Sequence, residues 1–335
     1  MQLSFQVTIL SAGCIALAGL AGCGGGSSSP PIRIDGSSTV YKISQAAAEE
    51  FSNVESDCDI SVKYAGTGGG FKSFVKGELD ICDASRPITE REMAACKANG
   101  VEYIELPICF DALTIAVNAK NDWATDITTA ELKKLWEPEA TGKIMTWSQV
   151  RAGWPNEKIT LFGAGTDSGT FEYFTEAIVE KKNASRSDYT ASENDNVILQ
   201  GIEGDVHALG YVPYAYFEPR QKTLKALKVD WDKDDAGPIA PNEANVVQGI
   251  YNPLSRPLFI YVNHKSTDRP EVKAFVEYYV TNGKKLAQDV KYIPLPDNAY
   301  PKVLERFTKL QVGTGFGGQA EIGLPIGEIL KRELK

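Results

Sequence analysis

Residues 32–39 read Ile-Arg-Ile-Asp-Gly-Ser-Ser-Thr, a short strand pattern that passes into a turn of small residues, and residues 43–51 form a helical pattern. The same order of strand, turn and helix recurs at residues 60–64, 66–70 and 71–75, and again at residues 79–82, 83–87 and 89–99. Consecutive units of this kind predict an α/β fold with a mainly parallel sheet.

Two longer apolar runs, residues 106–118 and 257–263, are strand patterns that we interpret as crossovers between two lobes. This interpretation predicts a first lobe formed by residues 32–115 plus 257–335. Residues 116–256 then form a second lobe that is inserted into the first.

The second lobe contains a turn of the same composition, Gly163-Ala-Gly-Thr-Asp-Ser-Gly-Thr170, between a strand pattern at residues 159–162 and a helical pattern at residues 171–181. The ligand crevice of an open α/β sheet lies beyond the carboxyl ends of its strands, which is where all four turns fall. We therefore expect the four turns to converge on one site.

The turns are rich in groups that donate hydrogen bonds to an oxyanion. Hydroxyls and backbone N–H groups at helix starts supply donors without bulk, and glycine lets the backbone approach closely. The candidate residues are Ser37, Ser38, Thr39, Thr67, Ser85, Ser168 and Thr170, with Gly68 and Gly169 beside them. The alternative for any single turn is an ordinary helix N-cap.

Arg86 is the only cation within the core of these turns and predicts a forked, charge-assisted contact to an anion; the alternative is a surface ion pair. Asp83 and Asp167 can only accept hydrogen bonds while they are ionised. A carboxylate in the site would favour an oxyanion that still carries a proton, such as monohydrogen phosphate, over sulfate. Either aspartate could instead pair with an arginine or cap a helix.

The chain of 335 residues has a formal net charge of −9, so it has no basic excess with which to bind nucleic acid. Cys58, Cys82, Cys96 and Cys109 permit up to two disulfides or remain as buried thiols. None has metal-ligand spacing, and only His207 and His264 are available beside them, so we expect no metal and no cofactor.

The first 22 residues carry no charged side chain and include an apolar stretch at residues 7–20, which predicts a signal peptide at residues 1–22. Leu20-Ala-Gly-Cys23 resembles the bacterial lipobox, and this resemblance implies a lipid on Cys23 and anchoring to a bacterial membrane, in the periplasm or at the cell surface. Residues 23–31 then form a flexible tether. The alternative is an ordinary secretory signal.

Motifs along nearly the whole mature chain resemble the PstS-like phosphate-binding components of phosphate ABC transporters. They are Asp35-Gly-Ser-Ser-Thr-Val-Tyr41, Gly66-Thr-Gly-Gly-Gly-Phe-Lys72, Asp83-Ala-Ser-Arg-Pro-Ile88, Asp111-Ala-Leu-Thr-Ile-Ala-Val-Asn118, Gly163-Ala-Gly-Thr-Asp-Ser-Gly-Thr-Phe171, Leu132-Lys-Lys-Leu-Trp-Glu-Pro138 and Ala208-Leu-Gly-Tyr211. The resemblance implies a type II periplasmic-binding-protein fold, with two lobes of mainly parallel sheets joined by two crossover strands. It also implies a monomer that captures inorganic phosphate and delivers it to a membrane permease.

Carried over motif by motif, the resemblance implies phosphate contacts from Thr39, Val40, Thr67, Arg86, Ser168, Gly169 and Thr170, with Ser38 and Gly68 adjacent. One departure affects the charges. The best-known enterobacterial members place arginine shortly before the Ser-Gly-Thr turn and aspartate in the Ala-Ser turn, whereas this chain has Ala164 and Arg86 there. The acceptor carboxylate is therefore left open, with Asp167 slightly ahead of Asp83.

Phosphate capture has three alternatives. Sulfate or molybdate binding is the main alternative, and an acceptor carboxylate would argue against both. A serine hydrolase that uses Ser168 is a second alternative, but the G-x-S-x-G elbow is absent and only His207 and His264 could serve as a base. We therefore expect no enzyme activity. A signalling role without transport is a third alternative.

Overall fold

The computed structural model describes residues 30–56, 58–166, 168–319 and 325–335. In chain order its strands are β1 (Ile32–Gly36), β2 (Ile60–Val62), β3 (Ile81–Ala84), β4 (Tyr103–Asn118), β5 (Asp126–Thr128), β6 (Thr160–Ala164), β7 (Thr190–Ser192), β8 (Ala208–Pro213), β9 (Leu224–Ala226), β10 (Lys228–Asp230), β11 (Ser255–Asn263) and β12 (Ile293–Pro294). The described residues do not include the predicted signal peptide (residues 1–22) or the predicted lipid attachment at Cys23. They also leave out most of the predicted tether (residues 23–31).

The α-helices are α1 (Ser38–Ser52), α2 (Thr67–Phe74), α3 (Glu90–Ala98), α4 (Thr129–Trp136), α5 (Trp147–Val150), α6 (Gly169–Phe174), α7 (Asp195–Gly204), α8 (Tyr214–Phe217), α9 (Glu243–Val247), α10 (Pro270–Thr281), α11 (Gly283–Asp289), α12 (Tyr300–Thr308) and α13 (Ile326–Ile329). Short 3-10 helices lie at Pro138–Ala140, Glu218–Arg220 and His264–Asp268, and a π-helix lies at Thr175–Val179. Within the described residues, no helix is both long and apolar enough to cross a membrane.

Ten of the strands form a sheet in the order β2-β1-β3-β11-β4-β8-β6-β7, with β9 and β12 also paired to β4. Strands β5 and β10 form a separate parallel pair. Pairing is parallel between β1 and its neighbours β2 and β3, and also between β6 and its neighbours β7 and β8. The strands in the middle, β11 and β4, pair antiparallel with each other and with β3 and β8. Each end of the sheet is therefore parallel and its centre is antiparallel.

Strand β4 belongs to both halves of the sheet. Its residues 103–112 pair with β11, and its residues 113–117 pair with β8. The strand is buried along its whole length, as expected for a strand that is covered on both faces. This single strand fixes the two halves relative to each other, and β11 runs beside it with a register shift between Leu258 and Phe259.

Helix α1 shows why the first unit folds as predicted. Its buried residues include Val40, Ile43, Ala47 and Phe51, at the spacing of three and four residues that places side chains on one face. Phe51 packs edge-to-face on Phe275 of α10, with ring centroids 5.5 Å apart. This face anchors the helix on the sheet, so the position of its N-terminus at the end of β1 is fixed.

The expected fold class is confirmed, with three differences in detail. The sheet is mixed rather than mainly parallel, because the crossover strands run antiparallel to their neighbours. Helix α1 begins at Ser38 rather than at residue 43, because Ser37 caps it and the small residues form its first turn. Helix α6 changes to a π-helix at Thr175, whose hydroxyl donates to the carbonyls of Phe171 and Glu172. The lobe boundaries stay a prediction.

Cys58, Cys82, Cys96 and Cys109 are free thiols in the structure, and all but Cys58 are buried. Burial raises the pKa of the Cys82 and Cys109 thiols well above the ordinary value. Of the two possibilities left open by the sequence, Cys82, Cys96 and Cys109 follow the buried-thiol one, whereas Cys58 is a half-buried free thiol.

Candidate ligand-binding site

The turn between β1 and α1 is held tightly against the end of β3. The Ser37 N–H donates to the Asp83 carbonyl at 2.9 Å, and the Ser37 hydroxyl caps α1 by accepting from the Val40 N–H at 3.4 Å. Gly36 has a φ of +147°, and a Cβ there would lie 2.1 Å from the Asp83 carbonyl oxygen. Only glycine permits this close approach, which sets the position of Thr39.

The start of α2 and the turn after β3 are joined through two hydroxyls. The Thr67 and Ser85 hydroxyl oxygens lie 3.1 Å apart, and the Ser85 N–H donates to the Thr67 oxygen at 3.2 Å. A Cβ on Gly70 of α2 would lie 2.6 Å from the Gly36 Cα, so the second turn packs directly on the first. We call residues 37–39, 67–68 and 85–86 together the first wall.

The fourth turn, residues 168–170, faces the first wall, and we call it the second wall. A Cβ on Gly169 would lie 2.7 Å from the Thr39 hydroxyl oxygen and 3.3 Å from the Ser38 hydroxyl oxygen. The Ser168 hydroxyl caps α6 by accepting from the Thr170 N–H at 3.2 Å. The structure therefore brings Ser38, Thr39 and Gly169 together. Asp167 lies outside the described residues.

The remaining candidates in and next to the first wall have different surroundings. The Val40 side chain is buried in the core, and only its N–H is directed at the cap. A Cβ on Gly68 would have no atom within 4 Å, so this glycine borders open space. Thr39, Thr67 and Ser85 are all buried. Their hydroxyls are thus withdrawn from bulk water, which strengthens any hydrogen bond they make to an ion.

Arg86 forms a forked ion pair with Glu92 of α3. Its two terminal nitrogens lie 2.9 and 2.8 Å from the two carboxylate oxygens, and one of them also donates to the Pro87 carbonyl at 3.0 Å. Burial opposes ionisation of Glu92, but hydrogen bonds from Arg86 and Thr89 hold the pKa of its carboxyl below the usual range. Three of the five guanidinium donor positions are used by these bonds, and the others remain for a ligand.

Asp83 does not reach the cleft. It is fully buried, and its side chain accepts a hydrogen bond from the Ser44 hydroxyl of α1 at 2.8 Å. Its other carboxylate oxygen has no hydrogen-bond partner among the described residues, and burial raises the pKa of this carboxyl well above its usual value. The group belongs to the core beneath α1.

The structure adds two charged residues that the sequence did not identify as site residues, Asp111 of β4 and Arg256 of β11. They are register partners on the adjacent crossover strands. An Arg256 terminal nitrogen lies 3.4 Å from an Asp111 carboxylate oxygen and donates to the Thr39 hydroxyl at 3.2 Å. The guanidinium also stacks 3.7 Å from the centre of the Tyr173 ring of α6. Arg256 thus contacts the first wall through Thr39 and contacts α6, the helix that begins in the second wall, through Tyr173.

Two cavities border this pair. A small one of about 10 Å³, room for one water molecule, is lined by Thr39, Lys42, Asp111, Gly169 and Thr170 together with Pro213, Tyr216 and residues 290–292. A larger cavity of about 300 Å³ lies on the other side, where Ser85, Arg86, Tyr173 and Arg256 are among the residues that line it. Thr39 and Asp111 thus border the small cavity, whereas Arg86 and Arg256 border the larger one.

A family model for the PBP superfamily domain matches residues 22–282. The SphX protein of Synechocystis is 46% identical over 334 residues, which cover 98% of each chain. The phosphate-binding protein PstS of Staphylococcus haemolyticus is 33% identical over 87% of this chain and 92% of its own length. A crystal structure of a possible phosphate binding protein from Planctomyces limnophilus is 46% identical, covers 85% of this chain and 100% of its own, and superposes with a TM-score of 0.80. The chain therefore belongs to the PBP superfamily and, within it, to the PstS-like phosphate-binding proteins.

Proposed function

We propose that the protein binds inorganic phosphate between the first and second walls and delivers it to the membrane permease of an ABC transporter. The observation that carries this proposal is the contact of Gly169 with Thr39, which makes the donors of two distant chain segments face each other. An ion taken from water needs partners for most of its lone pairs, and a surface on one wall could supply only part of them. The relatives named as phosphate-binding proteins support the same ligand.

The proposed contacts are Ser38, Thr39, Val40, Thr67, Gly68, Arg86, Asp167, Ser168, Gly169 and Thr170. The hydroxyls and backbone N–H groups donate to the phosphate oxygens, and Arg86 adds a charge through the guanidinium donors that Glu92 does not occupy. The pairing with Glu92 holds the Arg86 side chain in one direction before the ion arrives. Less side-chain entropy is then lost on binding.

The placement of the protein follows from its N-terminal sequence. A signal peptide at residues 1–22 directs export, a lipid on Cys23 anchors the chain to a bacterial membrane, and the tether lets it reach the permease. The chain acts as a monomer whose lobes are residues 32–115 plus 257–335 and residues 116–256. Extracytoplasmic substrate-binding proteins make up its family.

A hydrolase that uses Ser168 lacks support. The Ser168 hydroxyl caps α6 by accepting from the Thr170 N–H. His207 stacks on Trp123, and His264 lies 3.7 Å from Glu102, so each histidine has a neighbour other than Ser168. Nucleophilic catalysis would require one of these histidines as the base beside the serine. The relatives are substrate-binding transport proteins.

Isothermal titration of the purified protein with phosphate, sulfate and molybdate tests the proposal. We expect saturable phosphate binding at one site per chain, with sulfate and molybdate much weaker. An absence of phosphate heat, or sulfate binding of equal strength, would contradict it. Hydrolysis of a chromogenic ester that disappears in Ser168→Ala would instead support the enzyme alternative.

A further inference from the structure

Glu105 of β4 is a fully buried carboxylate that joins three parts of the chain. One of its oxygens accepts hydrogen bonds from the Tyr261 hydroxyl of β11, at 2.7 Å, and from the Thr314 hydroxyl. Its other oxygen accepts from the Gly315 N–H at 2.9 Å. A buried carboxylate is costly unless such bonds complete its hydrogen bonding, so the groups that donate to it are held in one arrangement.

Tyr261 links this carboxylate to the turn that contains Arg86. The Tyr261 hydroxyl, which donates to the carboxylate, also accepts a hydrogen bond from the Ile88 N–H at 2.8 Å. Only Pro87, whose ring restricts the backbone, separates Ile88 from Arg86. The Tyr261 ring packs edge-to-face on Phe71 of α2, with ring centroids 5.1 Å apart. The Arg86 guanidinium lies 5.5 Å from the centre of the same Phe71 ring, so Tyr261 supports Arg86 at its backbone and at its side chain.

The segment of residues 313–319, which supplies the other two donors to the carboxylate, packs beside the same turn. Phe316 of this segment is buried and lines the larger cavity together with Arg86. The Gln319 side chain donates to the Glu90 carboxylate at 3.1 Å. Glu90 is the first residue of α3, the helix that carries the ion-pair partner of Arg86. The segment therefore contacts the surroundings of Arg86 on two sides.

We infer that Glu105 and Tyr261 position Arg86 for the bound anion, and that the 313–319 segment completes this support through Thr314. The inference rests on the proposed phosphate function and on Arg86 as a phosphate contact. Glu105 and Tyr261 are positioning residues, because both are fully buried on the crossover strands and act through the turn. The ion pair with Glu92 holds the guanidinium, whereas Tyr261 holds the backbone from which the side chain projects. An arginine that is held in place loses less entropy when the ion binds.

The first test is a phosphate titration by calorimetry that compares Tyr261→Phe with its matched control, Tyr251→Phe. Tyr251 is equally buried, and its hydroxyl donates to the Leu113 carbonyl of β4 at 2.7 Å. Each substitution removes one buried hydroxyl and its hydrogen bonding, so both lower the midpoint of thermal unfolding. We expect Tyr261→Phe to weaken phosphate binding by about 5- to 10-fold, whereas Tyr251→Phe stays within about 2-fold of the wild type.

The second test repeats Tyr261→Phe in the Arg86→Ala background, to determine whether Tyr261 acts through Arg86. We expect no further loss of phosphate affinity there, because no guanidinium remains to be positioned, and such non-additivity identifies residues that are coupled. Thr314→Val removes one donor to Glu105 and weakens phosphate binding by about 3-fold, again only where Arg86 is present. This variant carries the test should Tyr261→Phe not fold.

Equal losses of affinity with and without Arg86 would overturn the inference, because Tyr261 would then act on another part of the site. Wild-type affinity in both Tyr261→Phe and Thr314→Val would overturn it as well, and so would an equal loss in Tyr251→Phe. If the wild type binds no phosphate, the proposed function fails and the inference fails with it. If the wild type binds phosphate and Arg86→Ala binds it equally well, the proposed function stands and only the inference fails.

Discussion

The first and second walls of the cleft differ in how firmly they are tied to their surroundings. The first wall is bonded within itself, because Ser37 donates to the end of β3 and the Thr67 and Ser85 hydroxyls share a hydrogen bond. The second wall is a single turn at the start of α6, and that helix changes to a π-helix at Thr175. The first wall is thus held together by its own hydrogen bonds, whereas the second wall meets it at the contact of Gly169 with Thr39.

The largest effect is expected from the charge of the first wall. Arg86→Ala removes a partly buried guanidinium and leaves the Glu92 carboxylate unpaired beside the anion, so phosphate affinity falls by at least about 100-fold. The exposed Arg91, on the same helix, provides the control Arg91→Ala, which retains affinity. Titration calorimetry measures both. Wild-type phosphate affinity in Arg86→Ala would show that Arg86 pairs with Glu92 but does not bind the ion.

The contact between the walls gives the next largest effect. Gly169→Val places side-chain atoms where a Cβ alone would already lie 2.7 Å from the Thr39 hydroxyl oxygen, so the walls separate and phosphate affinity falls by about 30-fold. Gly204→Val, at the end of α7 where a Cβ meets no atom within 4 Å, is the control. Unchanged affinity in Gly169→Val would mean that the ion does not need both walls.

The smallest effect on phosphate affinity is expected from the loss of single hydroxyls. These variants also distinguish the two walls by their effect on stability. Thr67→Val and Thr170→Val remove one hydroxyl each without changing the shape of the side chain, and each lowers phosphate affinity by about 3- to 10-fold. Only Thr67→Val also lowers the free energy of unfolding, by about 1 kcal/mol, because its hydroxyl bonds to Ser85. Chemical denaturation measures this difference. Equal stability losses would contradict the contrast between the walls.

The turns could be predicted from the sequence because strand, turn and helix follow one another locally. Glycine and serine mark the turns, and the spacing of Val40, Ile43 and Ala47 marks the helix face. The meeting of Thr39 with Gly169 could be expected from the common position of the turns at strand ends. Its close distance could not, because it depends on how β4 joins the two halves of the sheet.

Arg256 shows what local patterns miss. It is brought to Thr39 by the register of β11 on β4, although 217 positions separate the two residues in the chain. Asp111 is a charged residue inside an otherwise apolar strand pattern, which marks it as unusual in the sequence. That it pairs with Arg256 could not be predicted, because the pairing depends on the neighbouring strand β11. The pairing of Arg86 with Glu92 likewise depends on how α3 is capped, because the same carboxylate also accepts from the Thr89 N–H.

A crystal structure of the protein with bound phosphate shows whether the ion lies between the two walls. We expect one phosphate there, with its oxygens within hydrogen-bonding distance of Thr39 and Thr67 on one side and Thr170 on the other. A phosphate that contacts only one wall, or that binds outside the cleft, would contradict it.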